Sequence, residues 1–416
     1  MVKIKEIHAR QVLDSRGNPT VEAHVLLTRG QGSGIAPSGA STGIHESVEL
    51  RDNKPAFGGK GVLKAVANVK KLAKQCIGRN FSTPADFDEF LIALDNTPNK
   101  SRYGVNAILP LSMAFRRALA EYQNIPLVEG LHTEFGRKMS LPVPFANVLN
   151  GGVHAGNELE MQEFMIAPIK AKSFSQATQI VAETYHELKG LLHKKYGSLA
   201  TSVGDEGGFA PPIKDARQAL NLISKAVENV GYEKEVAFAM DPAASEFFNG
   251  KTYLSQKWSS QRLQKYYEDL FAKFPLVSLE DPFDQDDFPA WQSLTKKLSR
   301  KKVQIVGDDL TVSNPARVQM AIEQKMCNSL LLKMNQIGTI TESMASSALA
   351  LDAGWNVMVS HRSGETEDPF IADLTVGLGV GQIKLGAPAR SDRVSKYNQL
   401  LRIEELLGRR AKYAKW

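Results

Sequence analysis

Only two cysteines occur in 416 residues, Cys76 and Cys327, each in an amphipathic helical context with no second Cys nearby. A disulfide framework and a zinc site are therefore not expected, and the composition fits a reducing compartment, which points to the cytoplasm. No window reaches ~18 uninterrupted apolar residues, so no transmembrane helix is expected. Residues 1–10 alternate Lys, Glu, His and Ile and lack the apolar stretch of a signal peptide. There is no short-period repeat and no low-complexity segment. A Gly-x-Ser-x-Gly elbow is missing, as is a Gly-x-Gly-x-x-Gly opening a helix after a strand. The excess of positive charge is also small, +6 from 51 basic against 45 acidic residues. Lys70, Lys71 and Lys74, then Lys296, Lys297, Arg300, Lys301 and Lys302, lie on polar faces or ends of helices. The tail adds Arg409, Arg410, Lys412 and Lys415. These runs read as solvated surface rather than a nucleic-acid footprint. Steering of an anionic substrate is a more modest use of the same charge. Neither nucleic acid nor membrane is expected as a partner.

What is present is an ordinary globular composition, 43% hydrophobic and 23% charged, at a length that fits two or three domains. Residues 3–13 and 20–28 read as strands joined by the turn Asp14-Ser15-Arg16-Gly17-Asn18-Pro19. A Gly- and Ser-rich loop is expected from Gly30 to Gly43. Helical periodicity follows at Leu63–Cys76, Pro84–Leu94 and Val105–Gln123. This α+β part is taken as residues 1–135. From Leu141 strands and helices alternate, with helices expected at 174–195, 215–230, 260–273, 314–325, 339–353 and 394–407. Such alternation indicates an α/β domain with a mostly parallel sheet, and residues 141–416 suffice for one (β/α)8 barrel.

The most informative pattern lies in that second part. Asp241, Glu280, Asp308 and Lys333 each follow a short apolar run, 39, 28 and 25 residues apart. Two further runs end at His361 and Lys384. Each run reads as a buried strand, and each is followed by a group that a buried strand could not hold unpartnered. Six polar groups are thus delivered to one rim of a barrel. Three converging carboxylates repel, and burial strengthens the repulsion. A hard divalent cation such as Mg²⁺ or Mn²⁺ resolves the conflict, since the ligands are oxygens with no Cys or His beside them. The bland alternative makes each carboxylate a helix cap or an Arg partner. Lys333, its pKa pushed down by a neighbouring cation, would be a general base; taken alone it serves equally as a salt-bridge partner. Lys384 reads as an anion binder.

Other segments gather polar groups on turns. Ser360-His361-Arg362-Ser363-Gly364-Glu365 combines Arg and Ser in the manner of a phosphate or carboxylate pocket, or else caps a helix. Gly204-Asp205-Glu206-Gly207-Gly208 makes Glu206 a candidate catalytic acid, with a simple turn as the alternative. Asn150–Asn157 is a Gly-rich strand end carrying His154, a residue that alone is more often structural. Pro37–Gly43 lacks the Lys of a phosphate-binding P-loop, and the glycines about Ser41 fit a mobile lid better.

Taken in order, these segments resemble the enolase family along nearly the whole chain. The likeness includes Asp14–Thr20, Ser38–Gly43, Gln162-Glu163-Phe164-Met165, Gly204–Gly208, Ser245-Glu246-Phe247, Glu280-Asp281-Pro282-Phe283, Gly307–Thr311, Lys333–Gly338, Ser360–Glu365 and Gln382–Pro388. The resemblance implies a modified TIM barrel of ββαα(βα)6 type, its first strands antiparallel, behind an N-terminal α+β domain. It implies Mg²⁺-dependent, reversible dehydration of 2-phosphoglycerate to phosphoenolpyruvate, a step of glycolysis and gluconeogenesis. Two Mg²⁺ are implied per site, the first on Asp241, Glu280 and Asp308, the second on Ser41. By the same resemblance Lys333 is the base at C2 and Glu206 the acid at C3. His154, Gln162, Glu163, His361, Arg362, Ser363 and Lys384 are then substrate-pocket residues. A Lys base with one or two Mg²⁺ is the known pattern of enolase-superfamily sites, so this pairing comes with the resemblance. Departures are confined to Val153, Pro242 and His45. The rival within the superfamily is an acid-sugar dehydratase or racemase. A homodimer is also implied, with Arg10 and Glu22 of one chain facing Asp392 and Arg402 of its partner.

Overall fold

The computed structural model describes residues 1–40, 43–298 and 301–416. Strands β1 (Val2–Leu13), β2 (Pro19–Leu27), β3 (Gln31–Ile35) and β4 (Asn80–Phe81) form an antiparallel sheet in the order β3-β2-β1-β4. Between β1 and β2 the turn closes on Asp14, whose Oδ1 accepts the amides of Arg16 and Asn18, both at 2.8 Å. Val21, Ala23, Val25 and Leu27 are buried at alternate positions of β2, the period of a half-covered strand. Helices α1 (Leu63–Cys76), α2 (Pro84–Asp95) and α3 (Val105–Gln123) cover that face, and α4 (Leu127–Phe135) packs against α3. The start of α2 follows from Thr83 and Asp86, which form a reciprocal cap, with Pro84 at the first helical position.

One expectation is corrected here. The segment after Gly30 does not run on as a loop, because residues 31–35 are β3, paired along β2 from Leu26 to Glu22. Its glycines serve packing. A Cβ on Gly32 would stand 2.4 Å from the Ala114 carbonyl oxygen, and one on Gly34 would stand 2.6 Å from that of Pro110. Only glycine lets α3 lie this close to the strand.

The second part is a closed barrel in the order β10-β11-β12-β5-β6-β7-β8-β9. Its strands are β5 (Val143–Asn150), β6 (Glu163–Ala167), β7 (Ala237–Asp241), β8 (Leu276–Glu280), β9 (Gln304–Gly307), β10 (Ser329–Leu332), β11 (Asn356–Ser360) and β12 (Gly381–Lys384). β6 runs antiparallel to both β5 and β7, and the remaining pairs are parallel. Two helices, α5 (Phe174–Tyr196) and α6 (Ala216–Asn229), follow β6. Thereafter strands alternate with α7 (Ser260–Lys273), α8 (Phe288–Leu298), α9 (Pro315–Glu323), the single turn α10 (Met334–Ile337) with α11 (Ile340–Asp352), α12 (Phe370–Leu378) and α13 (Ser391–Leu407). This is the ββαα(βα)6 order.

Alternate strand residues divide between two cores. Phe164, Ile166, Phe238, Met240, Leu279, Ile305, Leu330 and Leu332 pack in the large core that the helices complete. Val143, Phe145, Met165, Ala239, Val306, Leu331 and Met358 form the barrel's inner layer. Gln304 and Gln382 are buried as well, each amide donating to the other's carbonyl at 3.0 Å. The two parts are joined by buried charge: Arg116 of α3 meets Asp88, Glu134 and Thr341, Arg117 meets Asp368, and Lys100 meets Glu342. Among the described residues, no helix is long and apolar enough to cross a membrane.

Candidate active site

The strand ends deliver their charges to one rim. Asp241, Glu280 and Lys384 are the last residues of β7, β8 and β12, while Asp308, Lys333 and His361 come directly after β9, β10 and β11. Together with His154, Gln162, Glu163, Glu206, Arg362 and Ser363, all of these but Glu280 line one polar cleft, and Glu280 joins it through Lys384. Every described residue expected at the site is thus in one place; Ser41 lies outside the described residues.

Lys384 is the hub of one side. Its Nζ lies 2.8 Å from Glu280 Oε1, 3.0 Å from Asp241 Oδ2 and 3.1 Å from Glu163 Oε2. Lys333 pairs with Asp308 Oδ2, and Gln336 Nε2 donates to Asp308 Oδ1 at 2.7 Å. Of the three expected metal ligands, Asp241 and Glu280 thus share one ammonium group and Asp308 pairs with another. Among the described residues, Asp281, Asp308 and Asp309 bring three carboxylate oxygens within 4.8 Å of one another, and His154, Glu163 and Glu206 bring together a ring nitrogen and two carboxylate oxygens in the same way. Asp281 holds its neighbours' backbone, accepting the amides of Asp308 at 2.9 Å and Asp309 at 2.8 Å.

Glu206 stands across the cleft, held by one neutral donor and flanked by two imidazoles. Asn147 Nδ2 of β5 donates to its Oε2 at 3.0 Å, and His361 Nε2 is 3.2 Å from the same oxygen. His154 Nδ1 is 3.7 Å from both Glu206 and Glu163. On the third side Arg362 donates to Glu46 at 3.0 and 3.2 Å and to Asn335 at 3.0 Å. Ser363 Oγ accepts the Ala40 amide at 2.6 Å, and the Ile44 amide donates to Gln285 at 3.0 Å. The chain on either side of residues 41–42 is thus fastened to the barrel.

Residues 4–131 match the family model described as the enolase N-terminal domain, and residues 138–415 the one described as the enolase C-terminal TIM barrel domain. A curated enolase of Methanocaldococcus jannaschii is 51% identical over 416 residues, covering 99% of this chain and 97% of that protein. The chain belongs to the enolase family. An acid-sugar dehydratase or racemase is not favoured.

Membership of the enolase family implies a divalent metal, and the site's chemistry fits one. Its acidic donors are buried oxygens, and Glu280 Oε2 accepts no hydrogen bond among the described residues. Burial pushes the Glu280 carboxyl well above its ordinary range; Asp241 adds to the rise and Lys384 offsets part of it. Glu163 is raised in the same way, by burial and then by Glu206. Such stacked acid is a strong site for a hard cation. Burial alone would lower Lys333, but the Asp308 carboxylate holds its ammonium above the usual lysine range. Burial also pushes the His361 imidazole down to about 3, despite Glu206, so that it is neutral near pH 7.

Several residues of the site escape a reading by charge alone. Asn147 is a neutral amide in a wholly buried strand. Asp281 and Asp309 could have been found, since each directly follows an expected ligand. Glu46 carries an exposed-looking acid in a polar loop, and only the fold brings it to Arg362.

Proposed function

We propose that this chain is a phosphopyruvate hydratase that interconverts 2-phosphoglycerate and phosphoenolpyruvate in glycolysis and gluconeogenesis. The observation that carries the reading is the full-length match to a curated enolase, joined to a cleft holding an amine and a carboxylate on different sides. Lys333 Nζ takes the proton from C2 as the C2–H bond breaks. The C2=C3 double bond then forms as the C3–O bond breaks, and Glu206 protonates the departing hydroxide to give water. Asn147 aims Glu206, and Gln336 together with Lys333 orients Asp308. Arg362 and Ser363 bind the phosphate, with bidentate guanidinium geometry suited to it. His154, Gln162, Glu163 and His361 line the substrate's remaining edge, and Lys384 faces its carboxylate.

Asp241, Glu280 and Asp308 hold the first of two Mg²⁺ ions, and Ser41 belongs to the second. Bound Mg²⁺ supplies the concentrated positive charge that a dianionic carboxylate needs. Sharing Asp308 with a cation would also weaken the pair that keeps Lys333 protonated, which is what a base requires. The chain works in the cytoplasm as a homodimer, with an N-terminal domain of residues 1–135 and a barrel domain of residues 141–416.

The test is phosphoenolpyruvate formation followed by ultraviolet absorbance, with and without Mg²⁺, alongside a panel of sugar acids. Turnover of 2-phosphoglycerate that requires the metal is expected. Metal-independent turnover, or preference for a sugar acid, would overturn the reading.

A further inference from the structure

Helix α13 begins beneath the site, and one of its side chains ties two site loops together. Arg393 is fully enclosed, at 0% exposure. Its Nη1 donates to the Arg362 carbonyl at 2.8 Å, and its Nη2 donates to the carbonyls of Ser363 at 2.8 Å and Asp205 at 3.0 Å. Arg362 and Ser363 follow β11, whereas Asp205 immediately precedes Glu206 in the segment between α5 and α6. The acid-bearing loop and the anion-binding loop are distant in sequence and meet on one guanidinium.

The chemistry of this contact is unusual for a merely structural residue. A buried cation is costly unless paired. Here the hydrogen bonds go to three neutral carbonyls, and the nearest carboxylate oxygen, Asp392 Oδ2, is 3.4 Å from Nε without a hydrogen bond to it. A neutral side chain would pack the space at less cost. What arginine adds is a planar fork of fixed donors that reaches two chain segments at once, which a lysine ammonium cannot reproduce. The neighbouring Tyr397 makes a similar link, its hydroxyl donating to the Gly386 carbonyl at 2.8 Å beyond β12.

We propose that Arg393 is a positioning residue that sets the separation of Glu206 from Arg362 and Ser363, so that one substrate meets acid and phosphate binder together; this rests on the roles proposed for those three residues. It touches no reacting atom and acts through the two loops.

Arg393→Lys keeps the charge and loses the fork. Its kcat/KM for 2-phosphoglycerate should fall roughly 10–100-fold, the scale of a small misplacement of reacting groups. KM should rise, because the phosphate loop shifts. The ratio of C2 proton exchange to dehydration should rise too, because Glu206 is displaced while Lys333 is not. Leu400→Ala, a buried change elsewhere in α13, should lower the melting temperature and leave KM and that ratio near wild type. If Arg393→Lys does not fold, Arg393→Gln removes the buried charge while keeping one donor, and should show the same shifted ratio. An Arg393 variant with wild-type KM and wild-type ratio, whatever its melting temperature, would overturn the proposal. A wild-type protein that makes no phosphoenolpyruvate would instead sink the underlying reading of the site, and the proposal with it.

Discussion

Lys333 stands at the end of β10, and Glu206 is held by Asn147 of β5, three strand positions round the barrel. Groups so placed can serve two steps of one reaction separately, and that separation is measurable. Lys333→Ala should abolish exchange of the substrate's C2 proton with deuterated solvent, a loss of 10²–10⁴-fold or more, in a protein that still folds. Near-normal exchange would move the base role to another residue. Glu206→Gln removes the acid and keeps the amine, so exchange should persist while phosphoenolpyruvate formation fails. Equal loss of both steps would end the assignment of Glu206 as a dedicated acid. A third residue tests electrostatics away from the cleft. Asp373 of α12 is buried and accepts Gln399 Nε2 of α13 at 3.0 Å; burial pushes its carboxyl up to about 6. The folded state therefore binds this proton more tightly than the unfolded chain, whose carboxyl titrates near 4. Its contribution favours folding at low pH and is lost as pH rises from about 4 to about 6. Asp373→Asn should be more stable than wild type at pH 7.5, by an amount on the order of 2–3 kcal/mol, with the gain vanishing near pH 4. Urea denaturation midpoints at the two pH values decide this, and an equal difference at both would refute the buried proton.

At the scale of elements, the sequence was most readable where one face of an element is wet. α1 and α7 begin and end at the residues their periodicity predicts, because each presents a polar face to solvent, and α3 does so although it is buried along most of its length. The strands β7 to β12 stand out for a different reason: a buried apolar run is interrupted by a charge at the rim. That charge marks the site as well as the strand, which is why the rim residues were recognisable together. α12 gave no such signal, since every residue of Phe370–Leu378 is buried and the helix has no polar side. β3 was obscured because glycines that permit close helix packing resemble glycines of a loop. Asn147 was hidden by neutrality, and Arg393 by its place in a helix whose neighbouring charges read as surface. What stays illegible is what depends on a distant partner: a glycine's neighbour, an amide's acceptor, a guanidinium's three carbonyls.

At the scale of the whole molecule, metal and subunit contacts are linked to stability by mass action. Carboxylates that repel in the cleft should make melting temperature rise on adding millimolar Mg²⁺ to wild type, and Asp308→Asn should blunt the rise. A melting temperature indifferent to Mg²⁺ would argue against a preformed site. The proposed dimer is tested through charges outside the cleft. Arg10 Nη1 lies 3.2 Å from Glu22 Oε2 across the β1–β2 ladder of one chain, with Glu22 largely covered and Arg10 exposed. Among the described residues, Arg402 of α13 has only a 3.5 Å contact to Gln399. Asp392 is less available, since Arg390 and Arg393 lie within 3.5 Å of it. Glu22 and Arg402 are accordingly the pair on which an intersubunit contact would turn. In an isologous interface each pair occurs twice, which multiplies the effect of a substitution. Breaking a partly buried interfacial pair costs ~2–5 kcal/mol, against less than ~1 for an exposed one. Glu22→Arg also sets two arginines opposite each other on neighbouring strands, a local penalty that would arise in a monomer as well. The second substitution separates the two effects. Arg402→Glu does nothing for the repulsion within one chain, but it restores an opposite charge across an interface. Light scattering should therefore find monomers for Glu22→Arg and dimers again for Glu22→Arg with Arg402→Glu. A single mutant that stays dimeric, or a double mutant that stays dissociated, would place the interface elsewhere on the molecule.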